Sequence, residues 1–317
     1  MSSTKNITNH SHHHSHEHKH SHKKKPNVVK LYLHRFAHSN AYVSIPILAI
    51  TVTSYMLIGS FNWNTNYVAF IFFSTLFLYP LHRLIGVRII MPLEYSPAQK
   101  AVSKKPRLSQ ISVVIGFIGT LFFTFKLSTD IFQLLIPLAI ISLTYSLPFI
   151  PTTNGRKRLR DIPGVKIYAI SIVVTFTTST IPLLLSQSNG YLDIFLLGIQ
   201  RFLFILAITI PFDIRDVRID KKWNLKTIPL LIGNEKSLLL SKYLLLTTSL
   251  ITVFQFFYTD VISIYILIGV IISNIWTVYI LGKFKTYNAP LFNAYMLEGT
   301  MVFQFAIVTI FQVLSSF

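Results

Sequence analysis

The chain has 317 residues, 52% of them hydrophobic and only 13% charged, with a mean hydropathy of +0.55 and a formal net charge of +18. A water-soluble domain rarely has this balance, and here the apolar residues fall in long blocks rather than being spread evenly. There is no cysteine, which excludes structural disulfides and thiol catalysis.

Residues 1–38 read as a hydrophilic tail. The stretch "NHSHHHSHEHKHSHKKK" sets eight histidines between His10 and His22, then three lysines. Such a composition cannot bury a core and is expected to be disordered. Two readings stay open for it: a loose site for Zn²⁺, Ni²⁺ or Cu²⁺, which imidazole ligates, and a solvated tail that adds charge at the membrane surface. No cleavable signal peptide is visible, because the first forty residues are polar and basic.

Residues 39–317 read as a single membrane domain. A helix needs roughly 20 apolar residues to cross a bilayer. Nine runs qualify, at about 40–59, 67–87, 109–126, 131–150, 166–186, 191–212, 237–257, 261–281 and 291–314. The expected fold class is therefore an all-α membrane protein with nine transmembrane helices. In that layout 26 of the 29 Lys and Arg residues fall on one side, while the connections around 60–66, 127–130, 187–190 and 258–260 hold none. The positive-inside rule then predicts a cytoplasmic N-terminus and an outside C-terminus. Basic loops meeting anionic lipid headgroups account for the net charge without any nucleic acid. Arg201 and Lys242 are read as the ionisable groups of the span interiors, with no buried acid relay of the kind a metal transporter needs. The longer connections, after spans 2, 4 and 6, carry helix-stopping pieces: "MPLEYSPAQ", "PFIPTTNG" and "NLKTIPLLIG".

The strongest chemical signal is "PFDIRDVRIDKKWNLKTIPLLIG" at 211–233. Asp213, Asp216 and Asp220 fall at i, i+3 and i+7, one face of a helix, in a chain with only 11 acidic residues. Three carboxylates this close repel one another unless a cation sits among them. Arg215, Arg218, Lys221 and Lys222 could neutralise them as a solvated cluster. Alternatively they hold Mg²⁺, a hard ion that takes oxygen ligands and often brings a phosphate with it.

"DIRDVRID" followed by "KTIPLLIG" resembles the second aspartate-rich motif of the UbiA-type intramembrane prenyltransferases. "LTYSLPFIP" at 143–151 resembles that family's Tyr-Ser-x-Pro segment ending helix 4, and "RLRDIPGVKIYAIS" at 158–171 its basic loop and lysine entering helix 5. The resemblance implies nine helices around a central cavity. It also implies transfer of an isoprenyl group, or another phosphorylated lipid group, from a diphosphate to a lipophilic acceptor at the cytoplasmic face. Carried over, Asp216 and Asp220 would ligate Mg²⁺ with Asp213 as ligand or support. Arg158, Arg160 and Lys166 would lie near the diphosphate, and Tyr145 would line the cavity.

The family's first aspartate motif has no counterpart here. In "FLYPLHRLIGV", residues 77–87, alignment on Gly86 puts Leu78, Tyr79 and His82 at the acidic positions, with Arg83 beside them. Arg83, His82 and Arg88 could grip a phosphate directly, leaving a single Mg²⁺ on the second motif. His82 could serve as acid or base in altered chemistry. A third reading is a non-catalytic relative that binds or transports lipid, and in the plainest one His82 and Arg83 only snorkel to the headgroups.

Overall fold

The structure, a computed structural model, describes residues 41–58, 63–89, 102–103, 106–152, 155–186, 190–259, 261–284 and 290–315. The His-rich tail and the segment around Glu94 lie outside them. Among the described residues the chain forms nine principal helices. They are α1 (Ala41–Met56), α2 (Thr65–Ile89), α3 (Pro106–Thr124), α4 (Thr129–Ser146), α5 (Lys166–Leu185), α6 (Tyr191–Lys222), α7 (Asn234–Tyr258), α8 (Ile264–Gly282) and α9 (Pro290–Leu314). Eight of these are long and apolar enough to cross a membrane, and α1 is a shorter apolar helix. The protein is thus an integral, multi-pass, all-α membrane protein. A two-stranded antiparallel hairpin, β1 (Ile150–Thr152) with β2 (Gly155–Lys157), interrupts the helices between α4 and α5.

Helices dominate because a backbone inside lipid must satisfy its own N–H and C=O groups. The same environment tolerates Pro46, Pro80, Pro137 and Pro211 inside α1, α2, α4 and α6. Lipid removes the hydrophobic drive between helices, so small and hydroxylic residues set their approach. Gly116 of α3 lies so close to α2 that an added Cβ would sit 2.7 Å from the backbone of Leu76 and Phe77. On the other side of α3, Ile111, Val114, Ile118 and Phe122 are exposed, as a lipid-facing surface should be.

α6 is the central strut. Its 32 residues span about 48 Å, well beyond a hydrocarbon core of about 30 Å. The helix therefore continues past the apolar run, and its last turns carry the aspartates. Midway, buried Arg201 donates to Gln304 Oε1 at 2.8 Å and to Ser54 Oγ at 3.1 Å, tying α6 to α9 and α1. Beside it Gln200 donates to Thr252, and Asn274 donates to Thr248 and Ser249 at 2.9 Å, adding α7 and α8. Apolar clusters close around this polar belt: Ile50, Phe204, Leu245 and Leu297 on one side, Tyr67, Ile71, Leu135 and Ile181 on the other.

Two glycines with positive φ set the turns that deliver the site. Gly164 (φ 79°) turns the chain into α5 two residues before Lys166, and Gly233 (φ 84°) separates the short helix Ile228–Ile232 from α7.

Candidate active site

A cavity of about 570 Å³ runs between α2, α4, α5, α6 and α9. Much of its wall is apolar, including Phe70, Ile71, Leu135, Leu138, Ile205 and Ile208, and its charged residues come from α2, α5, α6 and α9 and, for Arg160, from the connection between α4 and α5. As the spacing predicts, Asp213, Asp216 and Asp220 share one face of α6, and all three line the cavity. Asp213 is 1% exposed and Asp220 3%.

The cation among them is Lys166. It stands at the first turn of α5, where the Gly164 turn aims it across to α6. Its Nζ lies 2.8 Å from Asp213, 3.2 Å from Asp220 and 4.0 Å from Asp216. Asp216 is further held by Arg215, which donates through Nε and Nη2 at 2.9 and 3.0 Å. The solvated cluster that spacing alone allows is thus not what forms. Of its four expected cations Arg215 is engaged with Asp216, whereas Arg218, Lys221 and Lys222 face outward.

The sequence-predicted residues divide. Tyr145, Arg160, Lys166, His82 and Arg83 all line the cavity. Arg160 lies over the Tyr145 ring at 5.4 Å, and the His82 ring packs against the same tyrosine at 5.6 Å. Burial alone would lower the basicity of Arg160, but Tyr145, Asp216, Asp161 and Asp220 outweigh it and hold the guanidinium above its ordinary range. Arg158 is outside the lining. It is spent in the one-turn helix Leu159–Asp161, where Asp161 accepts from its Nε and Nη2 at 2.7 Å. Arg83 and His82 are not a snorkelling pair: Arg83 sits over the Tyr79 ring at 4.0 Å and donates to its hydroxyl, and His82 Nδ1 is buried with no hydrogen-bond partner among the described residues. Arg88, at the end of α2, is exposed and does not line the cavity.

One functional candidate corrects the expectation that the span interiors lack acid. Glu298 of α9 lines the same cavity, and its charged neighbours are Arg83 and Arg215. It is the single acidic residue in the run 291–314, and that isolation in an apolar segment was the available signal. With it the cavity carries four acids (Asp213, Asp216, Asp220, Glu298) against four bases (Arg83, Arg160, Lys166, Arg215).

Among the described residues no group of three His, Cys, Asp or Glu side chains is arranged on a metal-sized point. The three aspartates gather instead on the Lys166 ammonium. Their chemistry nonetheless fits Mg²⁺, since they are hard oxygen donors that already converge on a cation.

No family model matches the chain. A curated relative, the digeranylgeranylglyceryl phosphate synthase of Methanosphaera stadtmanae, is 35% identical over 85 residues, 27% of this chain. The matched part spans 31% of that relative's length. Among solved structures, a UbiA homologue from Aeropyrum pernix K1 superposes with a TM-score of 0.57 at 13% identity, covering 87% of this chain and 98% of the other. A UbiA homologue from Archaeoglobus fulgidus gives 0.56 at 16% identity over 88% and 99%. The Archaeoglobus homologue bound to GPP and Mg²⁺ gives 0.54 at 15% identity over 87% and 98%. These likenesses establish the fold: the chain is built on the UbiA-type scaffold, as the aspartate motif implied.

Proposed function

We propose that this UbiA-fold protein is a membrane prenyltransferase, moving an isoprenyl group from a diphosphate to a lipophilic acceptor at the cytoplasmic face. The observation that carries the reading is the set of three aspartates, Asp213 and Asp220 buried and Asp216 half-buried, gathered on Lys166 among the walls of an otherwise largely apolar cavity. The orientation rests on the lopsided distribution of Lys and Arg, which groups the loops at the aspartate end with the cytoplasmic side.

In this reading Lys166 and Arg160 receive the diphosphate, and Arg83 faces it from α2. Asp216 and Asp220, supported by Asp213, would hold Mg²⁺, which when bound supplies charge neutralisation for the departing diphosphate. The four-against-four balance makes the dependence concrete. A diphosphate entering a neutral cage adds net negative charge in a low-dielectric site, so it needs cations brought with it. The apolar walls accept the prenyl tail and exclude water from the allylic cation, with Tyr145 among the lining residues. A single acidic motif then suffices, because Arg83 and His82 stand on the α2 wall where the family has its first set of carboxylates. That same substitution favours one rival reading, a lipid-binding or transport protein on a borrowed scaffold. His10 to His22 would bind Zn²⁺, Ni²⁺ or Cu²⁺ independently of this site.

The test is binding of geranyl diphosphate to detergent-purified protein, with and without Mg²⁺, beside an Asp216→Asn, Asp220→Asn double variant. Mg²⁺-dependent binding that the double variant loses supports the proposal. Metal-free binding lost on Arg83→Ala would move the diphosphate from the aspartates to the cations. No binding in any condition would leave the lipid-binding reading.

A further inference from the structure

The cavity has an aspartate end and a deep end, and the deep end stops at one level. Near the aspartates it is lined by His82 of α2, Tyr145 of α4, Lys166 of α5 and Asp216 of α6. The farthest lining residues on the same four helices are Phe70, Leu135, Thr177 and Ile205, although each helix runs on beyond them. Twelve residues separate His82 from Phe70 and eleven separate Asp216 from Ile205, rises of about 18 and about 16 Å.

Beyond that level stands Tyr67. It is fully buried and packs in one cluster with Ile71, Leu135 and Leu138, which line the cavity, and with Ile131 and Ile181, which do not. Its ring lies 6.4 Å from that of Phe70. A phenol hydroxyl at this depth needs an acceptor. An irregular turn of α5 provides it. Between Phe176 and Thr180 the helix widens into a π turn, in which the N–H of Ile181 donates to the carbonyl of Phe176. The next residue, Pro182, has no N–H, so neither residue serves the carbonyl of Thr177. The Tyr67 hydroxyl donates to that carbonyl at 2.6 Å. The tyrosine is thereby strapped from α2 to α5 across the end of the cavity, where an unpinned leucine or isoleucine could change rotamer and let a chain pass.

We infer that Tyr67 closes the channel for the isoprenyl tail and sets the longest donor this protein takes. With C–C bonds of about 1.5 Å an extended isoprene unit advances roughly 5 Å, so a depth of about 16 to 18 Å takes three or four units, a farnesyl or geranylgeranyl chain. Geranyl stops short of Tyr67. A hexaprenyl chain reaches about 30 Å, and its last units would have to enter the volume that Tyr67 fills. Tyr67 is a specificity residue: it acts on the length of the tail and leaves the diphosphate untouched.

This inference rests on the diphosphate reading above, and the experiment separates the two. Binding of geranyl, farnesyl, geranylgeranyl and hexaprenyl diphosphates with Mg²⁺ is measured at one detergent concentration on wild type, Tyr67→Ala, Tyr67→Leu and Val173→Phe. Val173 lines the channel seven residues on from Lys166, about 10 Å deep. Wild type is expected to bind geranylgeranyl diphosphate more tightly than geranyl, and hexaprenyl at least about 10-fold more weakly than geranylgeranyl. Tyr67→Ala should bring hexaprenyl to within about threefold of geranylgeranyl and keep geranyl binding within about twofold of wild type, which shows that it is folded. Val173→Phe should move the limit the other way, keeping geranyl and weakening geranylgeranyl by about 10-fold or more. Wild type that binds hexaprenyl as tightly as geranylgeranyl would overturn the length limit. Tyr67→Ala that keeps geranyl and still rejects hexaprenyl would overturn Tyr67 as its cause. If Tyr67→Ala binds no geranyl diphosphate, Tyr67→Leu, which keeps an apolar side chain in the cluster, decides by the same ratio. An unchanged length profile in Val173→Phe would overturn the path of the channel. Wild type that binds none of the four would overturn the donor reading itself, and this inference with it.

Discussion

Replacing Lys166 by Met removes the cation that, among the described residues, lies within 4 Å of all three aspartates, two of them buried. With an effective dielectric of about 20, unit charges at its 2.8, 3.2 and 4.0 Å separations attract by about 6, 5 and 4 kcal/mol. Most of that gross attraction is offset by desolvation of the four groups and by repulsion among the aspartates. Breaking a buried pair by deleting one partner costs about 3–5 kcal/mol net, and that is the expected loss for Lys166→Met. The variant carries a second signature. Three carboxylates without their ammonium are a better site for a hard divalent cation, so Mg²⁺ should raise the melting temperature of Lys166→Met by more than it raises that of wild type. The assay is thermal unfolding in detergent across a Mg²⁺ titration, with Ca²⁺ as a second oxygen-seeking ion. A variant as stable as wild type would refute the electrostatic argument. A destabilised variant that ignores Mg²⁺ would keep the ion pairs but remove the aspartates as metal ligands.

Arg160→Ala should weaken geranyl diphosphate binding by about 10- to 100-fold, the worth of a charge-assisted contact, whereas Arg158→Ala, whose guanidinium is occupied by Asp161, should change it by less than about threefold. Isothermal titration of both variants checks the pair. Gly116→Leu should destabilise the protein by about 1–3 kcal/mol or more, because its side chain would enter the backbone of α2 at Leu76 and Phe77; thermal unfolding reads this directly. In the polar belt, Gln304→Leu should cost about 1.5–3 kcal/mol by leaving Arg201 short of a partner. Arg201→Met in the same background should recover stability, since it removes the buried charge itself. A double variant less stable than Gln304→Leu would show that the Ser54 contact alone suffices to hold Arg201 and would refute the argument.

Hydropathy alone located the membrane helices to within a few residues, except at the end of α6, which runs on to Lys222 from an apolar run ending near 212, because span length and apolarity are local quantities set by bilayer thickness whereas a helix can continue beyond the lipid. It also located the aspartates on one face of α6, since an i, i+3, i+7 spacing needs only helical periodicity. Alignment on Gly86 likewise put Tyr79, His82 and Arg83 together at the end of α2, and all three line the cavity. What the aspartates hold was not a local quantity. Lys166 lies 54 residues from Asp220 in sequence, and only the packing of α5 on α6 sets its ammonium among three carboxylates and leaves Arg218 and Lys221 exposed. The same holds for Arg158 and Arg160, two residues apart and equivalent in sequence: one turn of helix sends the first to Asp161 and the second over Tyr145. Glu298 is the extreme case. In sequence it is one acid inside a long apolar run, and it becomes part of the site only because α9 closes the cavity beside Arg83 of α2 and Arg215 of α6. A charge declares its presence in sequence, but its partner is chosen by the fold, because Coulomb energy depends on distance in space and falls off long before the separations these residues have along the chain.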